Sequence, residues 1–348
     1  MFLENVPLAP RTTLGIGGPA RFFIAPTTAS EVQTALTQAH TRSLPVFVLG
    51  GGSNLVIADT GWPGLVLHPQ LTHQNDLTVG AGVDWNAFVD RCIARNLAGI
   101  ECLAGIPGTV GATPIQNVGA YGQEVAETIV SVTALDRQSL QTRTFAREEC
   151  AFSYRQSRFN TTELGRWLIL EVTFALRENA PPQLTYRDLL RHFDPSSSPT
   201  LIDVAIAVRQ IRAQKGMVVD AADPDSRSAG SFFKNPILSA VVAPGDAPQF
   251  PQPDGNVKVP AAWLIEHSGL RRGETLAGGI RLSTKHILAL VNQGGGTSHD
   301  VVEAAKRVQE RVHQTWGVVL HPEPIFVGFS GSTALPEGAT VIASELPQ

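Results

Sequence analysis

Residues 105 to 122 read Gly-Ile-Pro-Gly-Thr-Val-Gly-Ala-Thr-Pro-Ile-Gln-Asn-Val-Gly-Ala-Tyr-Gly and contain five glycines. Glycine lets backbone N–H groups approach a bound anion closely, and clusters of such groups form anion-binding concavities without any lysine. The stretch therefore favours a loop that binds a nucleotide pyrophosphate. Tight turns explain most single glycine clusters equally well, and for this stretch alone that alternative stays open.

Two further glycine clusters lie upstream, Gly15-Ile-Gly-Gly18 and Gly50-Gly-Gly-Ser-Asn54. Three clusters in one part of the chain weaken the explanation by turns alone. None of them has the spacing G-x-G-x-x-G followed by an acid, and none reads G-x-x-x-x-G-K-[ST]. The clusters therefore favour nucleotide binding, but they match neither the Rossmann motif nor the P-loop motif.

The sequence around these clusters predicts mixed helices and strands. Thr28 with Glu31 forms a capping box before a helix, and Asp84 is a candidate N-cap for a second one. Residues 45–50 form a short apolar run typical of a strand buried on both faces. Strand patterns follow over 128–135, 140–145 and 167–174. The fold class predicted from these patterns is α+β.

Loop-forming residues at 179–182 and 195–199 predict a domain boundary near residue 200, after which Thr200 caps a further helix. Another helix is predicted from Ser298 to Val312. After Phe329 the composition turns to Ser, Thr, Gly and Pro, which predicts a mobile tail over 331–348.

Composition excludes several classes of protein. The 348 residues are 43% hydrophobic and carry a net charge of −4, so no overall positive field is available for nucleic acid or an anionic membrane surface. The three cysteines have no metal-ligand spacing, and we expect no metal. An acid near the N-terminus and the lack of a long apolar stretch predict a cytoplasmic protein without a membrane span.

The segment Gly230-Ser-Phe-Phe-Lys-Asn235 places a hydroxyl, an ammonium and an amide beside two bulky rings, which could exclude water from a small reacting centre. A serine between Gly and Phe is alternatively a simple turn residue. Only five of the 27 basic residues are lysines, and Lys215 and Lys234 are two of them. A compact ammonium is therefore a candidate ligand for substrate, with solvated surface charge as the alternative.

Two further side chains are candidates for chemistry. Glu323 lies between two prolines in an apolar run, so its carboxylate is expected at a rigid sheet edge. The alternative is that this charge only prevents the edge from pairing with another strand. Arg155 follows Tyr154 in a short polar segment that would otherwise be a solvated strand end.

Together, these motifs resemble the UDP-N-acetylenolpyruvoylglucosamine reductase family, from about residue 8 to residue 329. The motifs that carry the resemblance occur in one order: Arg11–Gly18, Leu49–Asn54, Gly105–Gly111, Gln116–Gly122, Tyr154-Arg155, Gly230–Pro236 and Pro322-Glu323. Leu184-Thr-Tyr186-Arg-Asp further resembles the family's first type, in which a tyrosine on a mobile loop closes over substrate. Ala112-Thr113 stands where the family often has Gly-Ala, and Arg227-Ser-Ala229 also differs from the usual sequence of the family. Neither change removes a reacting group.

The resemblance implies an α+β architecture with a two-subdomain FAD-binding fold of the vanillyl-alcohol oxidase type and a separate α+β substrate-binding domain. We assign residues 1–68 to the first FAD-binding subdomain, together with a C-terminal strand over 319–330. Residues 69–203 form the second FAD-binding subdomain, and residues 204–318 form the substrate-binding domain.

The resemblance also implies the reaction, in which NADPH reduces non-covalently bound FAD and the enolpyruvyl sugar nucleotide is then reduced to UDP-N-acetylmuramate for peptidoglycan. Ser231 would protonate the inner carbon of the enol ether, and Arg155 and Glu323 would stabilise the intermediate enolate. Tyr186, Lys215, Lys234 and Asn235 would hold the diphosphate and carboxylate of the substrate. The implied cofactor-binding residues are Gly50, Gly51, Gly52, Ser53, Asn54, Gly105, Ile106, Pro107, Gly108, Thr109, Gly111, Gln116, Asn117, Gly119, Ala120, Tyr121 and Gly122. His286 is left out of these sets because family members vary there.

Two other functions fit part of the pattern. A flavin oxidase or dehydrogenase acting on an alcohol would have no obvious use for Ser231 and Glu323, and the glycine loops hold no His or Cys that could tether the flavin. A non-catalytic protein that binds flavin or a nucleotide sugar would not need Arg155, Ser231 and Glu323 together.

Overall fold

The computed structural model describes residues 1–329 and 334–343. The helices are α1 (Ala29–Thr41), α2 (Trp85–Ala94), α3 (Arg187–Leu190), α4 (Leu201–Gln214), α5 (Ala261–Glu266) and α6 (Ser298–Trp316). The strands are β1 (Leu3–Pro7), β2 (Pro19–Ile24), β3 (Val46–Val48), β4 (Leu55–Ile57), β5 (Trp62–Leu67), β6 (Gln74–Asn75), β7 (Thr78–Gly80), β8 (Leu97–Ala98), β9 (Gly119–Ala120), β10 (Gln123–Glu124), β11 (Ile129–Asp136), β12 (Thr142–Ala146), β13 (Trp167–Phe174), β14 (Arg177–Glu178), β15 (Ile237–Ser239), β16 (Phe250–Pro251), β17 (Asn256–Lys258), β18 (Thr275–Ala277), β19 (Ile280–Leu282), β20 (Leu290–Asn292), β21 (Ile325–Val327) and β22 (Thr340–Ile342).

The chain divides into two compact units. The first comprises residues 1–3, 22–51 and 65–214, and the second comprises residues 4–21, 52–64 and 215–348. Both contain helices together with runs of consecutive strands, which agrees with the predicted α+β class.

The first unit is built on an antiparallel sheet with the strand order β12-β11-β13-β7-β6. Its long strands β11 and β13 pair with Val132 opposite Val172, and both of these side chains are buried. The strand predictions over 128–135, 140–145 and 167–174 are therefore confirmed within one or two residues. Alternation of apolar and polar residues identified them because one face of the sheet is buried.

Helices α1 and α2 of the first unit begin where their caps predict. The Thr28 Oγ1 accepts the Glu31 N–H at 3.1 Å, and the Asp84 Oδ1 accepts the Ala87 N–H at 2.9 Å. Each bond satisfies one of the N–H groups that a helix start leaves without a partner. Helix α2 buries Trp85 and Phe88 in the core.

Helix α4 spans residues 203 and 204, between which the sequence predicts a domain boundary. The helix runs unbroken through this point, and its apolar side chains, among them Leu201, Val204 and Val208, are buried in the core of the first unit. A helix that packs one continuous apolar face cannot be cut inside that face without exposing half of it. The division between the units therefore falls after Gln214.

The second unit gathers chain segments that are far apart in the sequence. Strand β21 pairs in parallel with β4, with Phe326 opposite Val56, and also with β22, with Phe326 opposite Val341. An antiparallel sheet β18-β19-β20 and the amphipathic helix α6 complete the same core. Residues 4–21 and 52–64 group with this second unit, while 22–51 group with the first. The assignment of residues 1–68 to one FAD-binding subdomain stays a prediction.

Within the predicted mobile tail over 331–348, Thr340–Ile342 form strand β22. Val341 and Leu335 pack against the core of the second unit, and burial of these apolar side chains stabilises the segment. Residues 331–333 and 344–348 of the predicted tail lie outside the described residues.

Candidate functional site

In the first unit, two of the predicted cofactor loops meet backbone to backbone. A Cβ built on Gly51 would lie 2.5 Å from the Gly108 Cα, a distance that real Cβ atoms do not reach. Gly105 and Gly108 also have positive φ, at 76° and 138°, which favours glycine. The loops therefore form a cradle in which glycine alone fits, and such a cradle suits the pyrophosphate of FAD.

The loop over 105–111 is held from one side by the start of α2. The Asn86 Oδ1 accepts the Gly105 N–H at 2.6 Å, and its Nδ2 donates to the Ile106 carbonyl at 2.9 Å. From the other side, the buried Arg212 of α4 donates its Nε–H to the Gly105 carbonyl at 3.1 Å. Burial lowers the pKa of Arg212. Gly111 packs on Ala81, where a Cβ would lie 2.5 Å from the Ala81 Cβ, so this glycine is required by packing.

The loop over 116–122 is organised by Asn117, which is buried and has a left-handed φ of 46°. Its Nδ2 donates to the Glu124 carboxylate at 2.7 Å and to the Ser153 carbonyl at 3.0 Å, and its Oδ1 accepts the Ala126 N–H at 3.2 Å. The side chain of this predicted cofactor residue is thus used within the protein. The prediction remains for its backbone.

Arg155 lies at the tip of a tight turn, in which Ser153 and Gln156 exchange two backbone hydrogen bonds. Its φ of 57° is left-handed, a conformation that a non-glycine residue adopts only when its surroundings hold it there. Its Nη2 donates to the Gly119 carbonyl at 2.7 Å. The alternative of a solvated strand end is therefore wrong, and the guanidinium lies against the cofactor loop.

Tyr186 precedes the short helix α3, and the residue is 44% exposed. The ring packs edge-on against Tyr121 of the cofactor loop, with 5.5 Å between the centroids. Burial raises the pKa of Tyr121 to about 12, and burial followed by the nearby Asp188 raises the pKa of Tyr186, so both phenols keep their protons at neutral pH. A protonated, partly exposed phenol can donate a hydrogen bond to a phosphate oxygen.

In the second unit, Asn54 connects the third predicted cofactor loop to Glu323. The Asn54 Nδ2 donates to the Glu323 carbonyl at 3.2 Å, and the Asn54 carbonyl accepts the Ile325 N–H at 3.0 Å. Gly52, which has a φ of 67°, packs against the Arg11 carbonyl so closely that no Cβ could fit. Ser53 lies between them, and its carbonyl accepts a hydrogen bond from Thr13 at 3.4 Å.

Ser231 and Glu323 are brought together by the backbone. The Glu323 N–H donates to the Phe232 carbonyl at 2.8 Å, next to Ser231 in the chain, and Phe233 forms an antiparallel bridge with Pro322. The Ser231 Oγ lies 3.3 Å from the His286 Nε2, with which it forms a hydrogen bond. The structure thus places a hydroxyl, an imidazole and a carboxylate-bearing residue on adjacent segments.

His286 and the residues that hold it were missed by the sequence analysis. The His286 N–H donates to the Ser283 Oγ at 3.0 Å, and that hydroxyl donates to the Asp225 Oδ2 at 2.7 Å. The same oxygen accepts the Thr284 hydroxyl at 2.7 Å, while Oδ1 is paired with Arg281. The run Ser283-Thr-Lys-His286 has the small hydroxyl residues of a turn, which was the available signal.

The pKa of Asp225 reflects these partners. Burial opposes its charge, but hydrogen bonds from Thr284 and Ser283, together with Arg281, outweigh burial and hold the pKa below its ordinary value. The carboxylate is therefore ionised at neutral pH and fixes the turn that presents His286 to Ser231.

Two of the predicted substrate ligands of the second unit, Lys234 and Asn235, lie on the segment that carries Ser231. The Lys234 N–H donates to the His321 carbonyl at 2.9 Å, and the Asn235 Oδ1 accepts the Ala261 N–H at 2.9 Å at the start of α5. Lys215 follows the end of α4 directly and is half-buried, as is Lys234.

The cysteines fit a flavin that is held without a covalent bond. Cys92, Cys102 and Cys150 are free and buried, and burial raises the pKa of each thiol to about 12. A buried thiol that keeps its proton is a poor nucleophile for forming a flavin linkage. In residues 1–329 and 334–343, no helix combines the length and apolar character that crossing a membrane requires.

Comparison with known proteins agrees with this site. The family described as UDP-N-acetylenolpyruvoylglucosamine reductase, C-terminal domain, matches residues 223–327, and a family described as FAD binding domain matches residues 20–144. The UDP-N-acetylenolpyruvoylglucosamine reductase of Thermobifida fusca is 43% identical over 352 residues, which cover 94% of this chain and 98% of the relative. The protein of the same name from Streptomyces coelicolor is 44% identical over 348 residues and covers 94% and 90%, respectively.

The fold is also similar to that of a solved structure. The crystal structure of UDP-N-acetylenolpyruvylglucosamine reductase from Thermus caldophilus superposes with a TM-score of 0.68 at 26% identity, over 94% of this chain and 99% of that one. The resemblance found in the ordered glycine motifs is thereby confirmed, and so is the prediction of an FAD-binding domain. The chain belongs to the UDP-N-acetylenolpyruvoylglucosamine reductase family.

Proposed function

We propose that Ser231, Arg155 and Glu323 are the catalytic residues of this protein. As a member of its family, the protein is an FAD-containing oxidoreductase that reduces the enolpyruvyl group of UDP-N-acetylenolpyruvoylglucosamine with NADPH, in the synthesis of peptidoglycan precursors on which cell shape and division depend. The glycine loops would hold FAD, which would supply hydride transfer from NADPH to the outer carbon of the enolpyruvyl group.

The hydrogen bond between Ser231 and His286 is the observation that carries the proposal. Addition of a hydride to the outer carbon leaves an electron pair on the inner carbon, delocalised into the adjacent carboxylate of the substrate. The reaction is complete when the inner carbon receives a proton and a C–H bond forms. We assign that proton to the Ser231 hydroxyl, which is recharged from solvent through the neighbouring imidazole.

Arg155 and Glu323 are assigned to the developing negative charge. The Arg155 guanidinium is fixed by its bond to Gly119, so it supplies a preorganised cation. Glu323 contributes when its carboxyl group is protonated and donates a hydrogen bond to the enolate oxygen. Its backbone is fixed by Phe232 and Asn54, which makes this position rigid.

The remaining predicted residues are assigned to binding. Tyr186, Lys215, Lys234 and Asn235 bind the diphosphate and the carboxylate of the sugar nucleotide. The glycine loops over 50–54, 105–111 and 116–122 hold FAD, with Gly51 and Gly108 at the pyrophosphate because no side chain fits there. We place the enzyme in the cytoplasm, where UDP-linked precursors and NADPH are found.

A two-step spectral titration tests the function. The purified protein is kept under anaerobic conditions. Its absorbance is followed at about 450 nm, where oxidised flavins absorb. NADPH is expected to bleach the band, and the enolpyruvyl sugar nucleotide is expected to restore it. Bleaching by a simple alcohol without NADPH would instead identify an alcohol oxidase. A band that neither NADPH nor an alcohol bleaches would identify a binding protein.

A further inference from the structure

A buried carboxylate in the first unit lies between the cofactor loop and the segment that carries Tyr186. Glu101 is 0% exposed. Its Oε1 accepts the side-chain amide of Gln123 at 2.8 Å and the backbone N–H of Gln183 at 3.1 Å. Its Oε2 accepts the Gly99 N–H at 2.7 Å. We call residues 183–186 the lid segment. Glu101 contacts its first residue, Gln183.

The orientation of this network is fixed by its outer bonds. The Gln123 Oε1 accepts the Cys102 N–H at 2.8 Å, so the Gln123 side chain must direct its NH₂ group toward Glu101. The Cys102 thiol lies 3.5 Å from the Gln183 carbonyl, so both backbone polar groups of Gln183 are held by neighbouring residues of one short segment.

The lid segment runs alongside the end of the cofactor loop, residue by residue. Tyr121 packs against Tyr186, and Gly122 packs against Thr185 so tightly that a Cβ would collide with the Thr185 hydroxyl. Gln123 reaches Gln183 through Glu101. Three consecutive loop residues thus meet the lid segment, and Glu101 supplies a buried carboxylate to this contact.

Burying a carboxylate costs free energy unless hydrogen-bond donors compensate it, and an apolar side chain could fill the same volume without that cost. We propose that Glu101 is a positioning residue that fixes the lid segment against the cofactor loop and so holds Tyr186 where it binds the sugar nucleotide. The inference rests on the proposed role of Tyr186.

Exchange of the two side chains isolates the bond to the lid segment. In the double variant Glu101→Gln/Gln123→Glu, the new carboxylate at 123 still accepts the Cys102 N–H and now accepts the amide of residue 101. That amide must turn its NH₂ group toward position 123, where it also faces the Gln183 N–H, and two donors cannot bond each other. The exchange therefore keeps the buried charge and the Gly99 bond but removes the acceptor for Gln183.

The single variant Glu101→Gln has the opposite effect on the two hydrogen bonds. Its amide oxygen can remain between Gln123 and Gln183, and its NH₂ group then faces Gly99, so the lid bond is kept and the Gly99 bond is lost. Glu163→Gln is the matched control away from the site, because the Glu163 carboxylate also accepts several donors, among them Arg158 at 2.8 Å and Trp167 at 2.7 Å.

We expect the exchange to raise the KM for the sugar nucleotide about tenfold, which corresponds to about 1.4 kcal/mol. FAD content and the rate of flavin reduction by NADPH are expected to match wild type. Glu101→Gln is expected to raise this KM less than the exchange does, and Glu163→Gln is expected to leave it unchanged. Combined with Tyr186→Phe, the exchange should add little, because both changes act through the same phenol.

The outcomes separate this inference from the proposed function. If Tyr186→Phe raises the KM and the folded exchange variant does not, Glu101 has only a structural role. If Tyr186→Phe leaves the KM unchanged, the assignment of Tyr186 itself is wrong. Hydrogen exchange of the wild-type holoenzyme needs no variant to fold: slow exchange at the Gln183 amide supports the bond to Glu101, and exchange at the rate of an open loop overturns it.

Discussion

At Ser231, which we propose as the proton donor, the hydroxyl is weakly acidic and is supported by residues from two other segments. The imidazole of His286 orients the hydroxyl, and the turn that carries the imidazole is fixed by Asp225. Preorganisation of this kind lowers the cost of placing the donor during the reaction.

Ser231→Ala is expected to separate the two halves of the reaction. Reduction of the flavin by NADPH should stay near the wild-type rate, because no proton is given to an enol in that step. Oxidation of the flavin by the sugar nucleotide should slow by roughly 10²- to 10⁴-fold, the range of general acid catalysis. Stopped-flow absorbance in the flavin band measures each half, with circular dichroism and flavin content confirming the fold. Equal slowing of both halves would make Ser231 structural.

Asp225→Asn is expected to destabilise the protein in a pH-dependent way. The change leaves the charge of Arg281 partly buried without its carboxylate partner, which costs roughly 3–5 kcal/mol. Because the pKa of Asp225 is lowered in the folded state, its stabilisation is present above the ordinary carboxyl pKa of about 4 and is lost as pH falls through the lowered value. The difference in melting temperature from wild type should therefore be large at pH 7 and should shrink below about pH 4.

Asp254→Asn serves as the control for this series. Asp254 also has a lowered pKa, through bonds from Asn256, but it is exposed. Its loss should change the melting temperature little at any pH. A difference for Asp225→Asn that does not vary with pH would show that the ionised carboxylate is not what stabilises the turn.

Among the elements, the glycine loops bind by shape rather than by side-chain chemistry. Gly51→Ala would drive a methyl group into the backbone of Gly108, which lies 2.5 Å from the position of the new Cβ. The two loops must then separate, and we expect most of the FAD to be lost. The ratio of flavin to protein absorbance measures this. Gly245→Ala introduces the same methyl group where nothing lies within 4 Å and should keep full flavin content; full content in Gly51→Ala would contradict a tight cradle.

In the lid segment, the exposed phenol of Tyr186 is the group that we propose binds the sugar nucleotide. Tyr186→Phe removes the hydroxyl but keeps the ring contact with Tyr121, so the segment should stay in place. We expect the KM for the sugar nucleotide to rise roughly 10- to 150-fold, as for the loss of a hydrogen bond to a charged group. Flavin reduction by NADPH should change little. Steady-state kinetics with the sugar nucleotide varied provides the test, and an unaltered KM would rule out the assignment.

For the whole molecule, we expect purified protein to be yellow and to release its flavin on denaturation. The cysteines are buried and protonated, and the cradle is made of backbone, so the structure offers FAD a fitted site without a covalent linkage. Acid precipitation should leave all of the flavin in the supernatant, where its absorbance is read. Colour that stays with the protein pellet would indicate a covalent bond.

Local patterns in the sequence were sufficient for much of the secondary structure and for the family. The caps at Thr28 and Asp84 and the alternation along β11 and β13 act over a few neighbouring residues, so they can be read before the chain is folded. The order of the glycine motifs identified the family and its cofactor, because a backbone cradle requires glycine at each of its close approaches.

The three-dimensional fold settled what depends on residues distant in the chain. Ser231 and His286 are 55 residues apart, Asn54 and Glu323 are 269 apart, and Glu101 and Gln183 are 82 apart. Serine, asparagine and glutamate are common on surfaces, so their types do not reveal which of them become partners. The same holds for α4 and β22, whose apolar side chains pack against core residues that are distant in the chain. Burial decides both the polar partners and the packing of α4 and β22. A buried polar group needs a hydrogen-bond partner, and an apolar face needs a core to pack against, and both are supplied by distant parts of the chain.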